Sequence, residues 1–559
     1  MEAKMQERAY KLMKEWCGSL LSYQVRTATP YTDGALLCPA CHVIHGRIAD
    51  LCFPLTVIWS KTGDEKYLVE ADRLIDWSEY NLKTHDGLWY NDITNRWYAT
   101  SAFSAMSIGE AIYHFGDKLP QKYKNKWMQI FVRMCDVFTT LDTRESFKPV
   151  TNYYCGISAL LAMAWRLTGD GRYYEKSKYW VGVALERFDG EGLLFGEGYP
   201  LEIDNGSHPI DMGYDLEESM PLLLRYASLT GDYTELFKSR FMAHLEFLLP
   251  DGAIDDSFGI RHNKWTYWGS RTSDGIIEGL ALLLDDKVCA DACERALSLY
   301  ENCTHDGLLA MPMAHLSGEP TCLHHTFTHT KALAALVCAE NCPKKIEKVT
   351  LPCENEYGIK PYQKGNLLLV SLGDFRATFS AVSSSYHPAF TANGGGSMNL
   401  LYHRRYGILC AATSAEYNPT EPLNQQYLRE SEDPPCMTAQ FYVDGKPACK
   451  DKSARLSFEG NNVTAKTVAW QATYSFEGEE LKICLECGDG VYALPMVCGD
   501  RKATLSEDKT VLKIEGGATV ISSVPMEIDI DKRVFNQVGG LSYLPVSIPV
   551  NGCVKIIVK

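Results

Sequence analysis

Six stretches hold most of the side chains in this 559-residue sequence that could do chemistry. The first carries Tyr31, Cys38, Cys41, His42 and His45. The second, LWYNDITNRWY, carries Trp89, Tyr90, Asn91, Asn95, Arg96, Trp97 and Tyr98. The third ends in Asn152, Tyr153 and Tyr154. The fourth, GYPLEIDNGSHPIDMGYD, carries Tyr199, His208, Asp211 and Tyr214. The fifth, DDSFGIRHNKWTYWGSR, carries Arg261, His262, Trp265, Tyr267, Trp268 and Arg271, and the sixth, CLHHTFTH, carries His324, His325 and His329. Trp and Tyr mixed with Asn, Arg and His is the set that sugar binding requires. Apolar sugar faces stack on aromatic rings while hydroxyls bond to planar polar groups.

The mixture also separates two reactions. Hydrolysis of a glycoside needs two carboxylates across the scissile bond. Asp204, Asp211, Asp215, Asp255 and Asp256 are the candidates, but helix caps and turns account for most Asp in such loops. Elimination from a uronate needs a Tyr or His to take the C5 proton. It also needs Asn, His or Arg donors to neutralise the carboxylate, and an acid, often Tyr, for the leaving oxygen. The six stretches are richer in this second set. A hydrolase with paired carboxylates is the first rival, and a non-catalytic glycan-binding protein the second.

Cys38, Cys41, His42 and His45 have the spacing of half a zinc site, with no second matching pair nearby. They are read as mouth and packing residues, and no cofactor is expected; zinc or calcium are the metals to consider. Most of the twenty cysteines fall in apolar helical stretches (Cys52, Cys135, Cys155, Cys338), where a thiol acts as a small hydrophobe.

An internal repeat supplies the elements that position these groups. Gly-Asp follows an apolar helical stretch at Gly63-Asp64, Gly116-Asp117, Gly169-Asp170 and Gly231-Asp232, spaced 53, 53 and 62 residues apart, with a degenerate fifth copy at Asp285-Asp286. Asp-Gly closes the next helix at Asp86-Gly87, Asp189-Gly190, Asp251-Gly252 and Asp306-Gly307. Each unit reads as helix, tight turn, helix, long loop. The expected inner helices are 43–60, 100–115, 151–167, 213–229, 272–284 and 325–340. Their partners are 65–81, 121–138, 172–187, 234–247 and 288–302, with 4–22 closing the ring. This is an (α/α)6 toroid over 1–344, whose inner-helix N-termini converge on one mouth and favour an anionic ligand there. From 345 to 559, runs such as GNLLLVSLG, YGILCAATS, TVAWQATYSF and LKICLECG predict an antiparallel β-sandwich, so the fold class is α+β and multidomain. Ser431 to Pro435 reads as a loop.

The toroid-plus-sandwich layout resembles the polysaccharide lyases of the heparinase II/III and alginate-lyase type. Asn152-Tyr153 opens one inner helix and NGSHPIDMGY opens the next, as in that group. The stretch NGGGSMNLLYHRRYGILCAATSAEYN is similar to the heparinase-type C-terminal motif, with Asn393 and Gly395 where that motif has His and Asp. The resemblance implies Tyr214 as base or acid with His208 as its partner, Asn152 as carboxylate neutraliser, and Arg271 or His262 as a second carboxylate contact. Trp89, Tyr90, Asn91, Arg96, Trp97, Tyr153, Tyr199, Arg261, Tyr267, Trp268, His42, His45 and His325 are the expected substrate contacts. Within the group the chain looks most like enzymes that cleave L-rhamnose-α-1,4-D-glucuronate in arabinogalactan.

The formal charge of −15 argues against nucleic acid as a partner and leaves an acidic glycan in a locally basic funnel. No run is apolar enough to span a membrane. The N-terminal MEAKMQERAYKLMKEW reads as an amphipathic helix without the apolar core of a secretory signal. The expected compartment is therefore cytoplasmic, or periplasmic if a signal has been removed.

Overall fold

The structure is a computed structural model, and it describes residues 4–141, 150–198, 201–202, 206–381, 393–413 and 437–559. Tyr199, Asp204, Asn205 and the loop expected at Ser431 to Pro435 lie outside the described residues.

The N-terminal half pairs helices as the repeat predicts. The inner set is α2 (Cys52–Thr62), α4 (Ser101–Phe115), α6 (Thr151–Thr168), a broken helix of α8 (Met212–Tyr214) and α9 (Met220–Thr230), α11 (Ile277–Ala281) and α13 (Leu323–Cys338). The outer set is α3 (Lys66–Asn81), α5 (Gln121–Thr140), α7 (Gly171–Leu185), α10 (Thr234–His244), α12 (Lys287–Asn302) and α1 (Met5–Ser22). Each inner helix packs on the next, and α13 packs on α2, so the ring is closed. The first helix is tied to its last neighbours: Gln6 Nε2 donates to the Ala339 carbonyl (2.8 Å), and Arg8 pairs with Glu294 and Glu301 of α12.

The repeated dipeptides do what their chemistry allows. Gly63, Gly169 and Gly231 end α2, α6 and α9 in the left-handed region (φ 72°, 75° and 84°), where a Cβ would be strained. The Asp that follows caps the next helix: Asp170 Oδ1 accepts from Arg172 N (2.9 Å), and Asp286 does the same for Val288 in the degenerate copy. Gly116 differs, staying right-handed at φ −54°.

Two inner helices start later than expected. Residues 38–47 are spent on tight turns in which His42 and Arg47 are left-handed (φ 56° each), so a short 3-10 turn, Ile48–Leu51, leads into α2. The fifth inner helix shrinks to Ile277–Ala281 because Asp274 is bound to neighbouring helices and Gly275 turns the chain at φ 104°.

The described part of the C-terminal half is built on two packed antiparallel sheets, a small one of five strands and a large one of ten, with a further three-stranded sheet of Met496–Val497, Leu541–Leu544 and Val534–Asn536. Strands Gly358–Tyr362, Leu367–Leu372, Phe375–Ser380, Ser397–His403 and Gly407–Ala411 form a five-stranded meander. The larger sheet centres on Glu480–Ala493 paired with Ser547–Val558. Burial patterns show how the layers stack. Trp470–Glu477 alternates buried and part-exposed, as a sheet with one wet face must, whereas Phe375–Ser380 and Ser397–His403 are buried throughout. The small sheet is therefore a filling. Val370, Phe375 and Phe379 share a core with Tyr474 and Ile483 of the large sheet, while Leu367 and Leu369 join the core of the toroid. No helix among the described residues is long and apolar enough to cross a membrane.

Candidate active site

The broken inner helix carries the central phenol. Asp211 caps α8, its Oδ1 accepting from Tyr214 N (3.0 Å), and its Oδ2 accepts from Arg261 N (2.7 Å). One carboxylate thus fixes the helix start and the neighbouring loop together. Asp256 Oδ1 accepts from Met212 N (2.7 Å), and Asp255 accepts from Ser257 Oγ (2.7 Å) and from Thr378 of the small sheet. Three of the carboxylates that a hydrolase would need are therefore structural caps and clamps. After Tyr214 the helix widens into a π-turn, Asp215–Ser219, a distortion common at functional sites. It turns Glu217 and Glu218 inward.

Tyr214 is 5% exposed and surrounded by cations. Its hydroxyl lies 2.5 Å from Thr272 Oγ1 and receives Lys264 Nζ at 3.4 Å, while the Arg261 guanidinium sits 4.4 Å from the ring centroid. Burial raises the phenol above its ordinary pKa, and Lys264 and Arg261 pull it part of the way back. Arg261 is itself held by Nε to the Glu197 carbonyl (2.6 Å) and lies 3.5 Å from the Glu197 carboxylate. Burial lifts Glu197 to about 7 against the pull of Arg261.

The opening turn of α6 brings Asn152 and Tyr153 to this cluster. Asn152 Nδ2 donates to Glu218 Oε2 (2.7 Å), and the buried Asn152 Oδ1 has no hydrogen-bond partner among the described residues. Tyr153 accepts from Trp97 Nε1 (2.7 Å) and stands within the fields of Glu218, Tyr214 and Arg261. Trp97, half-buried, stacks on Tyr98 with ring centroids 6.1 Å apart. Beneath lies a charged network drawn from several inner helices. Arg47 binds Asp50 (2.9 Å) and Asp274 (2.6 Å), with Glu218 at 3.7 Å; Lys331 binds the same two Asp residues at 2.9 and 2.6 Å. Burial opposes the Asp50 carboxylate, but Lys331 and Arg47 outweigh it and hold it below the usual range. Burial and Asp274 raise Glu218 despite Arg47.

The structure thus brings Tyr214, Asn152, Tyr153, Arg261 and Trp97 together, and adds Lys264, Arg47, Glu218 and Thr272, which the sequence did not single out. Lys264 is the one lysine of its stretch, and Arg47 immediately precedes the 3-10 turn that leads into α2; only their distant partners give them meaning.

Other expected contacts lie elsewhere. His208 is engaged elsewhere and not with Tyr214: its ring lies against Phe195 (centroids 4.0 Å apart, planes inclined at 32°) and its backbone N donates to the Lys364 carbonyl, toward the sandwich. Arg271 is fully buried; its Nε and Nη2 donate to the carbonyls of Lys264 and Asn263, so it braces the Arg261–Lys264 turn from behind. His262 is also fully buried, and burial pushes it down to about 4. Tyr267 donates to Asp251 (2.8 Å) in the core shared with Tyr402 of the sandwich. Trp268 donates to the Ala310 carbonyl (2.8 Å) and packs against a buried His325. Trp89 is a buried post bonded to Glu79 (2.7 Å). Asn91 donates to Asp92 within its own loop, next to a half-buried Tyr90 that an exposed Arg96 covers at 5.9 Å.

The first stretch resolves differently again. His42 is exposed on a left-handed turn, and His45 is buried with Nε2 at 3.4 Å from Cys322 Sγ. Cys38, Cys41, His45 and Cys322 offer ligand atoms that all lie within 4.8 Å of one another. The pairing partner absent from the sequence nearby is a single Cys at the start of α13. In the sandwich, Asn393 accepts a bond from Thr438 (3.3 Å).

Comparison with known proteins agrees with this layout. A family profile described as the ulvan lyase N-terminal domain matches residues 13–354, and one for the ulvan lyase C-terminal domain matches residues 359–459. A protein of Formosa agariphila named as a broad-specificity ulvan lyase is 32% identical over 587 aligned positions, spanning 96% of this chain and 91% of the relative. Among solved structures, heparinase III has a TM-score of 0.54 at 11% identity, covering 92% of this chain and 76% of its own. The chondroitin AC lyase of Streptomyces coelicolor A3 has 0.53 at 11%, covering 99% and 79%. At that identity the two structures speak for the fold, a helical toroid followed by antiparallel sheets. The family matches extend over most of the sequence, and on them this chain belongs to the ulvan lyase family and is a polysaccharide lyase, cleaving by β-elimination.

Proposed function

We propose that the chain cleaves a uronate-containing acidic glycan, with Tyr214 as the proton-transfer residue and Arg261, Lys264 and Asn152 as neutralisers of the uronate carboxylate. The observation that carries this reading is a buried phenol in contact with two cations, Lys264 at its hydroxyl and Arg261 at its ring, on a protein whose net charge is −15. In the reaction a base takes the C5 proton, and the C5–H electron pair passes into the carboxylate as an enolate. The enolate then collapses to the C4=C5 double bond as the C4–O bond breaks, and the leaving oxygen takes a proton from an acid. Neutralising the carboxylate stabilises the enolate that develops between these events. A phenol kept protonated by burial is suited to supply the leaving-group proton. Trp97, Tyr153 and the Tyr90–Arg96 pair are assigned to the flanking sugars.

The name of the Formosa relative puts ulvan first among candidate substrates. The rhamnose-α-1,4-glucuronate linkage of arabinogalactan, expected from the sequence, is the second. The test is ultraviolet absorbance during incubation with ulvan, arabinogalactan and other uronate glycans. A rising signal from a new unsaturated uronate, strongest on ulvan, is the expected result. Sugar release without that chromophore would refute elimination, and a signal confined to arabinogalactan would replace ulvan as substrate.

A further inference from the structure

A Cys-x-x-Cys-x-x-x-His loop and a cysteine 277 residues further on meet at the seam where the last inner helix closes on the first. The chain doubles back inside the loop: Cys38 N donates to the Val43 carbonyl (2.9 Å), His42 N donates to the Cys38 carbonyl (3.0 Å), and His42 takes the left-handed conformation the turn requires. Cys41 N points at Cys38 Sγ from 3.4 Å. On the other side Cys322 is the last residue before α13. The Cys41 and Cys322 sulfurs are 3.5 Å apart, and Cys322 Sγ is 3.4 Å from His45 Nε2. A sulfur–sulfur distance of that size is well beyond a bonded pair, at about 2 Å.

We propose that Cys38, Cys41, His45 and Cys322 bind one zinc ion, which staples the loop before α2 to the start of α13. Zinc–sulfur bonds of about 2.3 Å and a zinc–nitrogen bond of about 2.0 Å, arranged tetrahedrally, require sulfur–sulfur edges of roughly 3.8 Å and sulfur–nitrogen edges of roughly 3.5 Å. The distances here are near those values without rearrangement of the backbone. Three thiolates and an imidazole in a closed, largely buried set are a structural zinc site, since no open position is left for substrate or water. The zinc does not take part in the elimination. It fixes the segment that carries Arg47 two residues beyond His45, and the His45 ring packs on His324 and Phe327 of α13 (centroids 5.7 and 6.2 Å). Thermodynamically it acts where a ring of helices is weakest, at the joint between its two ends.

The test is metal analysis of the full-length chain purified under reducing conditions and supplied with zinc chloride. The expected content is about one zinc per chain, lost in Cys322→Ser and in Cys41→Ser and kept in the control Cys338→Ser. Chelation should lower the melting temperature of the parent and of the control but not of Cys322→Ser. Should the ligand variants fail to fold, cobalt(II) reconstitution of the parent gives an independent reading: intense visible bands of tetrahedral thiolate-bound cobalt support the site. A zinc-free parent, zinc retained in Cys322→Ser, octahedral cobalt, or a Cys41–Cys322 disulfide in the reduced preparation would each overturn it.

Discussion

Replacing Tyr214 with Phe isolates the hydroxyl that the elimination mechanism depends on. The structural losses are small and can be itemised. The variant gives up the contact with Thr272 (2.5 Å) and the one from Lys264 (3.4 Å), while the ring and its Arg261 neighbour at 4.4 Å remain. One buried hydrogen bond is worth about 1 kcal/mol net, and the stranded partner adds about 1 kcal/mol more. For a protein of 559 residues that corresponds to a melting temperature lower by roughly 2 °C. The catalytic loss is of another order. Removing a proton-transfer group costs about 10²- to 10⁴-fold in rate, or roughly 3–5 kcal/mol in the barrier. Initial rates of ultraviolet absorbance at saturating glycan, run beside a thermal melt, separate the two effects. Thr272→Val serves as the comparison, because it removes the same bond and keeps the phenol. The reasoning is refuted if Tyr214→Phe retains a kcat within about tenfold of the parent, less than the smallest effect expected of such a group, or if Thr272→Val is equally inactive.

Three further outcomes are expected. Lys264→Met should lower kcat/KM by about 10- to 100-fold through loss of a charge-assisted contact, with the deficit shrinking on a glycan whose carboxyls are esterified; an equal deficit on both glycans would remove Lys264 from carboxylate recognition. Arg47→Leu leaves Asp50 and Asp274 to Lys331 alone in a buried setting and should destabilise the fold by about 3–5 kcal/mol in urea melts, whereas a loss under about 1 kcal/mol would mean the network is dispensable. Glu197 holds its proton to about pH 7 when folded but releases it near 4.3 when unfolded. Its contribution is therefore complete at low pH and is lost as pH rises to 7, so Glu197→Gln should gain on the parent by up to about 1.4 kcal/mol per pH unit across that window; a difference independent of pH would contradict the assignment.

The toroid was readable because its punctuation is local chemistry. A glycine that must turn left-handed and an aspartate that caps the next helix leave their mark wherever a unit ends, as at Gly169-Asp170. The start of α2 was not readable, because the residues before it are folded into turns stabilised by Cys322, far away in sequence. The site divides along the same line. Tyr214, Asn152, Tyr153 and Arg261 lie where inner helices or their loops begin, which periodicity can locate. The fifth loop, however, folds back on itself and faces two ways. Arg261 and Lys264 reach Tyr214, whereas His262, Tyr267 and Arg271, one, six and ten residues from Arg261, are turned into the interior. An irregular segment has no period to say which side chains face out, so residue type alone nominated all of them.

The small sheet, covered on both faces, has a bearing on how such a protein can be made and inherited. Cut at the junction, each half would present a broad greasy wall to water, and the helical ring prepared alone should aggregate. The ring and its sheets therefore cannot be traded as independent modules between genes. Changes along that hidden wall must be matched on both sides at once.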